Sequence, residues 1–386
     1  MTAPLRYQGS NFLRQRLCLA TVSGRPVVIA EIRPRDEEPG LRDYEASFVR
    51  LLDKICDGSD INIDETGTIL RYTPGQIMGG DGIVHNCPTS RCLTYFLEGL
   101  LFLAPLAKRP LGIKLRGVTN GGPDITCDTF RTATLPLLAK FGLSEGLVFK
   151  ITKRGALPGG GGEVVFNCPA LKKIEPIEVL DEGKVKRVRG VAYTTRVSPQ
   201  FAARMVDAAR GVLNDFLPDV WIYSDHSKGA ACGESPGYGL SLVAETITRS
   251  LKSADACADV EGGLATAPKG DETMSEAQKP ASPGTLQSPE EVGVAAARRL
   301  LAEIDLDGVV DTVHQPLILY FLSLSEETKP ARVRLSRLSP AAAQLLRHVR
   351  DFLGIKFQIK EDHGDTGTVV LSCLGASISN TARRTF

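Results

Sequence analysis

The chain has 386 residues, of which 42% are hydrophobic and 24% are charged, and its formal net charge is +1. This composition is ordinary for a globular protein, and the length allows two or more domains, each with a sizeable core. No stretch approaches the apolar length that crosses a bilayer, and the first residues lack the charged-then-apolar pattern of a signal peptide. We therefore expect an intracellular protein without a membrane partner.

Nine cysteines are scattered along the chain without the spacing of a disulfide framework. An odd number in this pattern indicates a reducing compartment and buried thiols. The closest pair, Cys87 and Cys92, lies five positions apart, and no paired C-x₂-C motif occurs. Because zinc sites use such pairs, we expect neither a metal site nor a cofactor.

The small net charge hides an uneven distribution. Residues 253–291 contain eight acidic side chains against two lysines, so this segment carries −6 and the remainder carries +7. A basic body with an acidic, flexible segment is compatible with a protein that associates with nucleic acid, although the magnitude only permits that interpretation.

In chain order, a repeated pattern appears in which an amphipathic helix is followed by two short strands. Three copies of it predict an α/β (α+β) body, built of repeated units in which helices lie on one face of a small sheet. The predicted helices are 45–55, 135–141 and 341–352, and the strands that follow them are 61–64 and 68–72, 147–151 and 164–166, and 355–359 and 369–371.

A fourth and looser unit lies between the second and third copies, which predicts a smaller inserted α/β domain. We expect a large domain from residues 1–184 and 287–386, interrupted by the small domain at 185–286. Residues 253–288 offer almost nothing to bury, so we assign them no secondary structure. Ser288 then caps a helix that runs to about residue 304, where the large domain resumes.

The most unusual stretch is 154–166, in which Pro158 and four consecutive glycines lead into a β-branched segment. Four glycines cost much backbone entropy on folding, so bare backbone must be required there. The candidate reasons are left-handed dihedral angles, close packing against another backbone, or amides turned towards an anion. No Walker loop is indicated, because no Gly-Lys-Ser/Thr follows and the run enters a strand.

The pattern Arg154-Gly155-x-x-Pro158-x-Gly160-Gly161-Gly162-x-Val164 resembles the signature of the RNA 3′-terminal phosphate cyclase superfamily. The resemblance implies a large domain of three repeated α/β units with a smaller inserted domain. It also implies a chemistry in which a histidine takes AMP from ATP and passes it to an RNA 3′-phosphate. That phosphate then closes to a 2′,3′-cyclic form.

The positions of that chemistry depart from the cyclase pattern. Ala341 stands where the nucleophilic histidine is expected, and His348, two turns along the same helix, is interpreted as a surface or capping residue. Tyr7 replaces the carboxylate of the nucleotide loop, and His314-Gln315 replaces an Asp-Gln pair. Because these losses occur together, we expect no adenylyl transfer.

Segments 11–17, 39–48, 115–120 and 236–242 resemble instead the eukaryotic, non-cyclase branch of the superfamily. This resemblance implies a nucleolar protein of the small-subunit processome within the 90S pre-ribosome. Its implied partners are a ribosome-assembly GTPase, the U3 snoRNP-containing processome and possibly pre-rRNA. The implied role is non-catalytic, in the early pre-rRNA cleavages of 40S subunit biogenesis.

A remnant of the nucleotide pocket is predicted to bind an anion or an acidic segment. For any single arginine, an internal salt bridge is the competing interpretation. A second basic surface is predicted from Lys329, Arg332, Arg334 and Arg337 together with residues 184–189, with Trp221 and Tyr223 as sparse candidates for base stacking. The predicted residues of the remnant pocket are Asn11, Arg14, Arg16, Arg42, Arg154, Pro158 and Gln315.

Two alternatives remain open from the sequence. One is an endoribonuclease with a rebuilt site, using Asp311 with His314, or Asp43 and Glu45 beside Arg42, as acid and base. The other is a regulatory module that retains nucleotide binding.

Overall fold

A computed structural model describes residues 3–258, 287–362, 367–378 and 380. None of its helices is long and apolar enough to cross a membrane. The helices are α1 (Leu13–Ser23), α2 (Asp43–Ile55), α3 (Leu93–Leu103), α4 (Cys127–Thr129), α5 (Leu135–Leu138), α6 (Gln200–Leu213), α7 (Pro289–Asp305), α8 (Gln315–Leu324) and α9 (Pro340–Leu353).

The strands form small sheets between these helices, so the predicted mixed α/β class is confirmed. In chain order the strands are β1 (Leu5–Gln8), β2 (Val27–Ala30), β3 (Cys56–Asp57), β4 (Asp60–Ile63), β5 (Leu70–Thr73), β6 (Gln76–Ile77), β7 (Gly80–Asn86), β8 (Leu111–Gly117), β9 (Val148–Lys153), β10 (Gly162–Cys168), β11 (Glu178–Val179), β12 (Val185–Thr195), β13 (Val220–Ser227), β14 (Gly237–Thr246), β15 (Leu251–Cys257), β16 (Ala331–Leu335), β17 (Gln358–Glu361) and β18 (Val369–Cys373).

Three of the four-stranded sheets share one strand order. They run β1-β2-β5-β4, β7-β8-β10-β9 and β11-β16-β18-β17, and each combines one parallel pair with two antiparallel pairs. Their buried residues form one continuous hydrophobic core with α1, α2, α3, α8 and α9. The common order is compatible with the predicted repeat, whose finer detail stays a prediction.

A fourth sheet, β13-β12-β14-β15, has its own hydrophobic core with α6 and α7. The sequence-based boundary at residue 287 places α7 in the large domain, but Val292, Ala296 and Leu300 of α7 are buried in this second core. They pack there because the apolar face of α7 meets α6, β14 and β15. The two-domain division stays a prediction, and the packing favours a boundary after α7.

The assignment of no structure to residues 253–288 is wrong at its start, because 253–257 belong to β15. This strand pairs antiparallel with β14, with Asp255 opposite Ser241. Asp255 accepts a hydrogen bond from the backbone N–H of Thr126 at 2.8 Å and is therefore no part of a solvated acidic run. Residues 259–286 of that prediction lie outside the described residues.

The start of α7 follows its sequence signals. Ser288 Oγ accepts from the N–H of Glu291 at 3.3 Å, and Glu291 Oε2 accepts from the N–H of Ser288 at 2.7 Å. Pro289 occupies the first helical turn, where its missing N–H costs nothing.

Eight cysteines are buried thiols, as predicted, and Cys257 is half-buried.

The glycine run is required by its backbone geometry. Gly160 and Gly161 have φ angles of 65° and 72°, in the left-handed region. A Cβ on Gly155 would lie 2.3 Å from the backbone nitrogen of Gly162. The N–H of Gly159 donates to Ser235 Oγ at 2.8 Å, and that of Gly160 donates to Ala156 O at 2.8 Å. The first two sequence-based reasons for bare backbone therefore hold, and these amides are used inside the protein.

Replacement Gly155→Ala is expected to lower the free energy of unfolding by about 1–3 kcal/mol, because the added methyl group overlaps backbone atoms that cannot move aside. Urea-induced unfolding followed by circular dichroism measures the change. The matched control is Gly211→Ala, at an exposed position inside α6 with open space around its Cβ. We expect it to raise stability by about 0.5–1 kcal/mol. Equal effects at the two positions would contradict the packing argument.

Candidate functional site

Tyr7, which occupies the position of the cyclase carboxylate, lies in a packed cluster contributed by β1, α1 and α9. Its ring contacts His348 at a centroid distance of 5.4 Å and stacks on Phe352 at 5.9 Å. The guanidinium of Arg16 lies 4.7 Å from the ring centroid, and the phenol donates to Asp351 Oδ2 at 3.2 Å. Burial, with Asp351 next, raises the pKa of Tyr7, so this phenol is neutral. The cluster therefore fills this place with protein groups.

The prediction that His348 is a surface or capping residue is wrong, because its side chain is fully buried. Nε2 lies 3.3 Å from Arg16 Nε and 3.0 Å from the amide nitrogen of Gln344. Both neighbours are donors, so Nε2 is the acceptor and the ring proton is on Nδ1. Burial, together with Arg16 and Arg347, lowers the pKa of His348 to about 3. The imidazole is therefore neutral.

Among the four arginines of the predicted anion pocket, Arg16 forms no salt bridge with a carboxylate in the described part of the chain. One Nη donates to Gly9 O at 2.7 Å, and burial lowers the pKa of Arg16 to about 10. Asn11 is exposed in the turn before α1, two residues from Gly9. Arg16 and Asn11 are thus linked only through the backbone around Gly9, and no contact between their side chains is seen among the described contacts.

Arg14 and Arg42 follow the competing interpretation of internal salt bridges. Arg14 pairs with Glu98, donates to Tyr95 O at 2.6 Å, and lies over the Tyr95 ring. Arg42 precedes α2 and pairs with Asp36 at 2.9 Å. Pro158 is exposed at the tip of the glycine loop. No contact joins these three residues to Arg16 among the described contacts.

Arg154 is buried, and five hydrogen bonds occupy its guanidinium. Asp128 accepts two of them at 2.6 and 2.9 Å, and Asp225 accepts two at 2.7 and 2.9 Å. The fifth goes to Asn120 Oδ1 at 3.2 Å. A guanidinium has five N–H donors, so none remains for an external anion. The predicted anion-binding role of Arg154 is corrected to an internal one.

These contacts join the two hydrophobic cores. Asp128 lies in α4, beside the first core, whereas Asp225 lies on β13 of the fourth sheet, which belongs to the second core. Arg154 also lies 5.2 Å from the ring centroid of Tyr193 on β12. Charge pairing keeps the pKa of Asp128 below its usual value although burial opposes this. The ion pairs thus persist in a buried position.

Gln315 is also committed to the fold. Its amide nitrogen donates to Ser336 Oγ at 3.0 Å and to Arg337 O at 3.1 Å, and its oxygen accepts from the N–H of Ser339 at 2.8 Å. These bonds fix the beginning of α8 to the turn that starts α9. The side chain is fully buried, so it offers no group to a ligand.

The acid–base pair considered for a nuclease, Asp311 and His314, is buried. Asp311 Oδ1 lies 2.5 Å from His314 Nδ1, and Oδ2 accepts from Ser253 Oγ at 2.5 Å. His314 Nε2 lies 2.7 Å from Thr134 Oγ1. Burial alone would lower the pKa of His314, but the nearby carboxylate of Asp311 more than offsets this effect. The pKa of His314 is therefore raised, and the pair is ionic. Its contacts hold β15 and α8 together and leave no path to RNA in this conformation.

The other acid–base candidates, beside Arg42, are engaged at the start of α2. Glu45 accepts two hydrogen bonds from Arg33, both at 2.7 Å, and one from the Arg42 N–H at 2.8 Å. Asp43 accepts from Ser90 Oγ at 2.7 Å. These carboxylates stabilise the helix start.

The second basic surface is largely neutralised. Arg187 pairs with Glu245 at 2.6 Å and Arg189 with Asp219 at 2.8 Å. Arg332 and Arg334 have carboxylate partners at 3.5–3.8 Å, and Lys329 and Arg337 are exposed. Two of the cations predicted for this surface on β12, Arg187 and Arg189, are therefore paired with carboxylates inside the protein.

Sequence reasoning missed the two carboxylates that hold Arg154. Asp128 and Asp225 lie 26 and 71 positions from the arginine, and neither belongs to a recognisable motif. In the described ranges no group of three or more His, Cys, Asp or Glu is placed to bind a metal ion. What this region offers chemically is a set of internal ion pairs and a neutral, buried histidine.

Removal of the Arg154 side chain by Arg154→Ala is expected to cost about 3–5 kcal/mol of stability, because it leaves Asp128 buried without a counter-ion. Thermal and urea unfolding measure this loss. The matched control is Arg204→Ala, which removes a two-bond pair with Glu290 that is about half exposed. It should cost under about 1 kcal/mol. A similar small cost at Arg154 would show that the buried pair does not hold the cores together.

Stability is expected to fall as the pH drops from about 6.5 towards 3. The unfolded chain protonates His348 near its ordinary pKa of 6.5, whereas the folded chain resists protonation until about pH 3. The unfolded state thus binds more protons in this window, at up to about 1.4 kcal/mol per pH unit. His85, with its pKa lowered to about 4 by burial, acts in the same direction.

Unfolding in urea at several pH values tests this, with His348→Gln as the variant that should flatten part of the slope. Nitrogen NMR of the ring reports the tautomer directly. A His348 signal that titrates near pH 6.5 in the folded protein would be incompatible with the packed cluster.

Comparison with known proteins agrees with this architecture. The family model for RNA 3′-terminal phosphate cyclase matches residues 5–359. The chain is 48% identical over 382 residues to the probable RNA 3′-terminal phosphate cyclase-like protein of Dictyostelium discoideum, covering 99% of this chain and 100% of that protein. It is 47% identical to the human RNA 3′-terminal phosphate cyclase-like protein, covering 98% and 97% respectively. It is 41% identical to rRNA processing protein rcl1 of Schizosaccharomyces pombe, covering 98% of each. The chain therefore belongs to the RNA 3′-terminal phosphate cyclase family.

Proposed function

We propose that this protein is a non-catalytic factor of rRNA processing, in which a cyclase scaffold is kept for its surfaces. The observation that carries this proposal is that the side chains at the positions of cyclase chemistry make contacts within the protein and are not free to bind a ligand. Tyr7 is packed between Arg16 and His348, and Gln315 is fully hydrogen-bonded. His314 is locked to Asp311. A nucleotide phosphate finds neither a carboxylate-held metal nor a free nucleophile among these groups.

The beginning of α9 supports the same conclusion. Ala341 occupies the position of the expected nucleophile, and a methyl side chain cannot accept AMP. Ser339 caps the helix by accepting from the N–H of Ala342 at 3.2 Å, so its hydroxyl serves the fold. His348 is buried, neutral and held through Nε2, and does not replace the missing histidine.

The names of the relatives support the biological side of the proposal. One full-length relative is named for rRNA processing, and others are named cyclase-like. Together with the sequence resemblance, this leads us to place the protein in the nucleus and nucleolus. There it takes part in early pre-rRNA cleavage during 40S subunit assembly, within the small-subunit processome of the 90S pre-ribosome.

A ribosome-assembly GTPase is the proposed direct partner, and the U3 snoRNP-containing processome is the proposed particle. The remnant pocket contributes Arg16, whose guanidinium has no carboxylate partner in the described ranges, as the group that still meets an anion. A nucleoside triphosphate binds together with a metal ion, and the carboxylate that would hold the metal is absent here. An acidic segment of a protein partner therefore fits this single buried cation better.

Depletion of the protein from cells is expected to cause uncleaved pre-rRNA to accumulate and 40S subunits to decline by several-fold, because a missing assembly factor stalls its particle. Northern hybridisation of precursors and sucrose-gradient profiles measure this effect. Re-expression of the wild-type chain should restore both. Normal precursor levels after complete depletion would remove the rRNA-processing assignment.

A biochemical arm tests the non-catalytic assignment separately. Purified protein incubated with radiolabelled ATP should remain unlabelled, with a histidine-bearing cyclase as the positive control. A stable covalent AMP adduct would overturn the assignment. Cleavage of a pre-rRNA fragment by the purified chain, lost in His314→Ala with folding intact, would instead establish a nuclease.

A further inference from the structure

Among the edge strands that the structure describes, β13 is the longest, with eight residues. It pairs with β12 in a parallel ladder without any shift of register. Its other main packing partner is α6, on one face of the sheet, and no strand of the described ranges pairs with its second side. A long and regular edge strand presents a row of unpaired backbone groups, which is a template for pairing with another chain.

The other long edge strands carry features that discourage such pairing. The register of β7 is irregular near its start, and β9 carries Lys150 and Lys153. β15 is covered where the N–H of Ser253 donates to Asp311 at 2.8 Å. Along its eight residues β13 has neither a lysine nor a proline. It therefore lacks the usual protection of an edge strand.

The phase of the ladder determines which backbone groups of β13 are free. The N–H of Val188 donates to Asp219 O at 2.8 Å, and in a parallel ladder alternate residues bond the same neighbour. The odd-numbered residues of β13 therefore bond β12, and the even-numbered ones direct their N–H and C=O groups to the open side. Among the described contacts, the carbonyl of Val220 accepts from Arg210 at 3.4 Å. The groups that remain unpaired belong to Ile222, Ser224 and His226.

Exposed apolar side chains concentrate around this strand. Trp221 and Tyr223 are 63% and 62% exposed on its outer face, and Phe216, in the turn before it, is 67% exposed. Val220 and Ile222, on the other face, are buried in the second core. Three of the four most exposed large apolar side chains in the described ranges thus lie within residues 216–223. Such a cluster marks an interaction surface, because its burial favours a complex.

The backbone pattern and the charge of the edge indicate the chemistry of its occupant. Donors and acceptors that alternate at the spacing of a β-ladder match an extended polypeptide, whereas a ribose–phosphate backbone has no N–H to donate. Lys228 directly follows the strand, and no carboxylate pairs with it among the described contacts. The carboxylate of the strand itself, Asp225, is bound to Arg154. An acidic side chain of the occupant is therefore favoured at this end.

We propose that the open side of β13 binds an extended segment of another protein, which adds a fifth strand to the fourth sheet. Apolar side chains at alternate positions of the segment pack on Trp221 and Tyr223, and an acidic side chain meets Lys228. The backbone hydrogen bonds supply affinity, and the alternate side chains supply specificity. This site is separate from the predicted anion pocket, and its occupation does not depend on the proposed function.

Selection of a phage library of random twelve-residue peptides on the full chain tests this proposal. The enriched peptides should share an alternation of apolar and polar residues with an acidic residue at one end. A synthetic copy of the most enriched peptide should shift the fluorescence of Trp221 to shorter wavelength. Trp221 is the single tryptophan of the chain, and a bound strand removes it from water.

Ser224→Pro is expected to weaken binding of the synthetic peptide about tenfold or more, because it removes an N–H from the open side. Proline is tolerated at an edge position whose N–H does not take part in the ladder, so β12 and β13 should stay paired. The matched control is Ser224→Thr, which keeps the N–H and should bind within about twofold of wild type. Circular dichroism and urea unfolding check that both variants fold.

Two N-methylated forms of the peptide test the backbone contacts independently. One form carries methyl groups on its odd-numbered residues and the other on its even-numbered residues. A strand bound at an edge uses alternate residues for hydrogen bonding, so only one form should lose binding.

The charge contact has its own variant and control. Lys228→Glu is expected to weaken the peptide about threefold or more at low salt, because it places a like charge beside the acidic end. Lys186→Glu makes the same charge change on an exposed lysine near the start of β12 and should leave binding within about twofold of wild type.

Equal binding to wild type and Ser224→Pro, or equal loss with both N-methylated peptides, would overturn the proposal. A library that yields no alternating peptides would overturn it as well. Dimerisation of the chain in analytical ultracentrifugation that Ser224→Pro abolishes would assign the edge to a second copy instead of another protein. Displacement of the peptide by single-stranded oligouridine, with RNA binding lost in Ser224→Pro, would assign it to RNA.

Discussion

The guanidinium of Arg154 is the interaction on which the arrangement of this molecule depends. It makes five hydrogen bonds in a buried position, to Asp128 and Asn120 beside the first core and to Asp225 on the fourth sheet. Burying a charge is costly, and the cost is offset only when every donor is satisfied. The next residue, Gly155, and the glycine run pack against Gly233, whose N–H donates to Arg154 O at 2.5 Å. The family signature is thus a packing device between two cores.

The positions that the resemblance assigns to cyclase chemistry are occupied here by side chains with internal partners. A carboxylate position is occupied by Tyr7, whose ring is stacked on Phe352, and an Asp-Gln pair is replaced by His314-Gln315, whose polar atoms are all engaged. Each replacement supplies packing or hydrogen bonds that a ligand would otherwise supply.

Local signals in the sequence predicted the local structure well. The Ser288 cap and the glycine loop appear where propensity and spacing place them. Tertiary partners were out of reach. The partners of His348 lie up to 332 positions away, so its burial left no local pattern. Residues 253–257 contain few large apolar groups, and they form a strand because β14 offers an open edge. Arg154 was identified correctly as important, but its role depended on carboxylates that no motif marks.

The segment that carries the second core lies, along the chain, between two neighbouring strands of the third sheet. β11 ends at Val179, and its parallel partner β16 starts at Ala331, with Glu178 in register with Arg332. The strands and helices of the second core, β12 to β15 with α6 and α7, lie between them in the chain, and the third sheet keeps the strand order of the other two. The second core can therefore differ in sequence and surface without any change in the strand order of the third sheet, whereas the pair between Arg154 and Asp225 is a contact that such differences would have to keep.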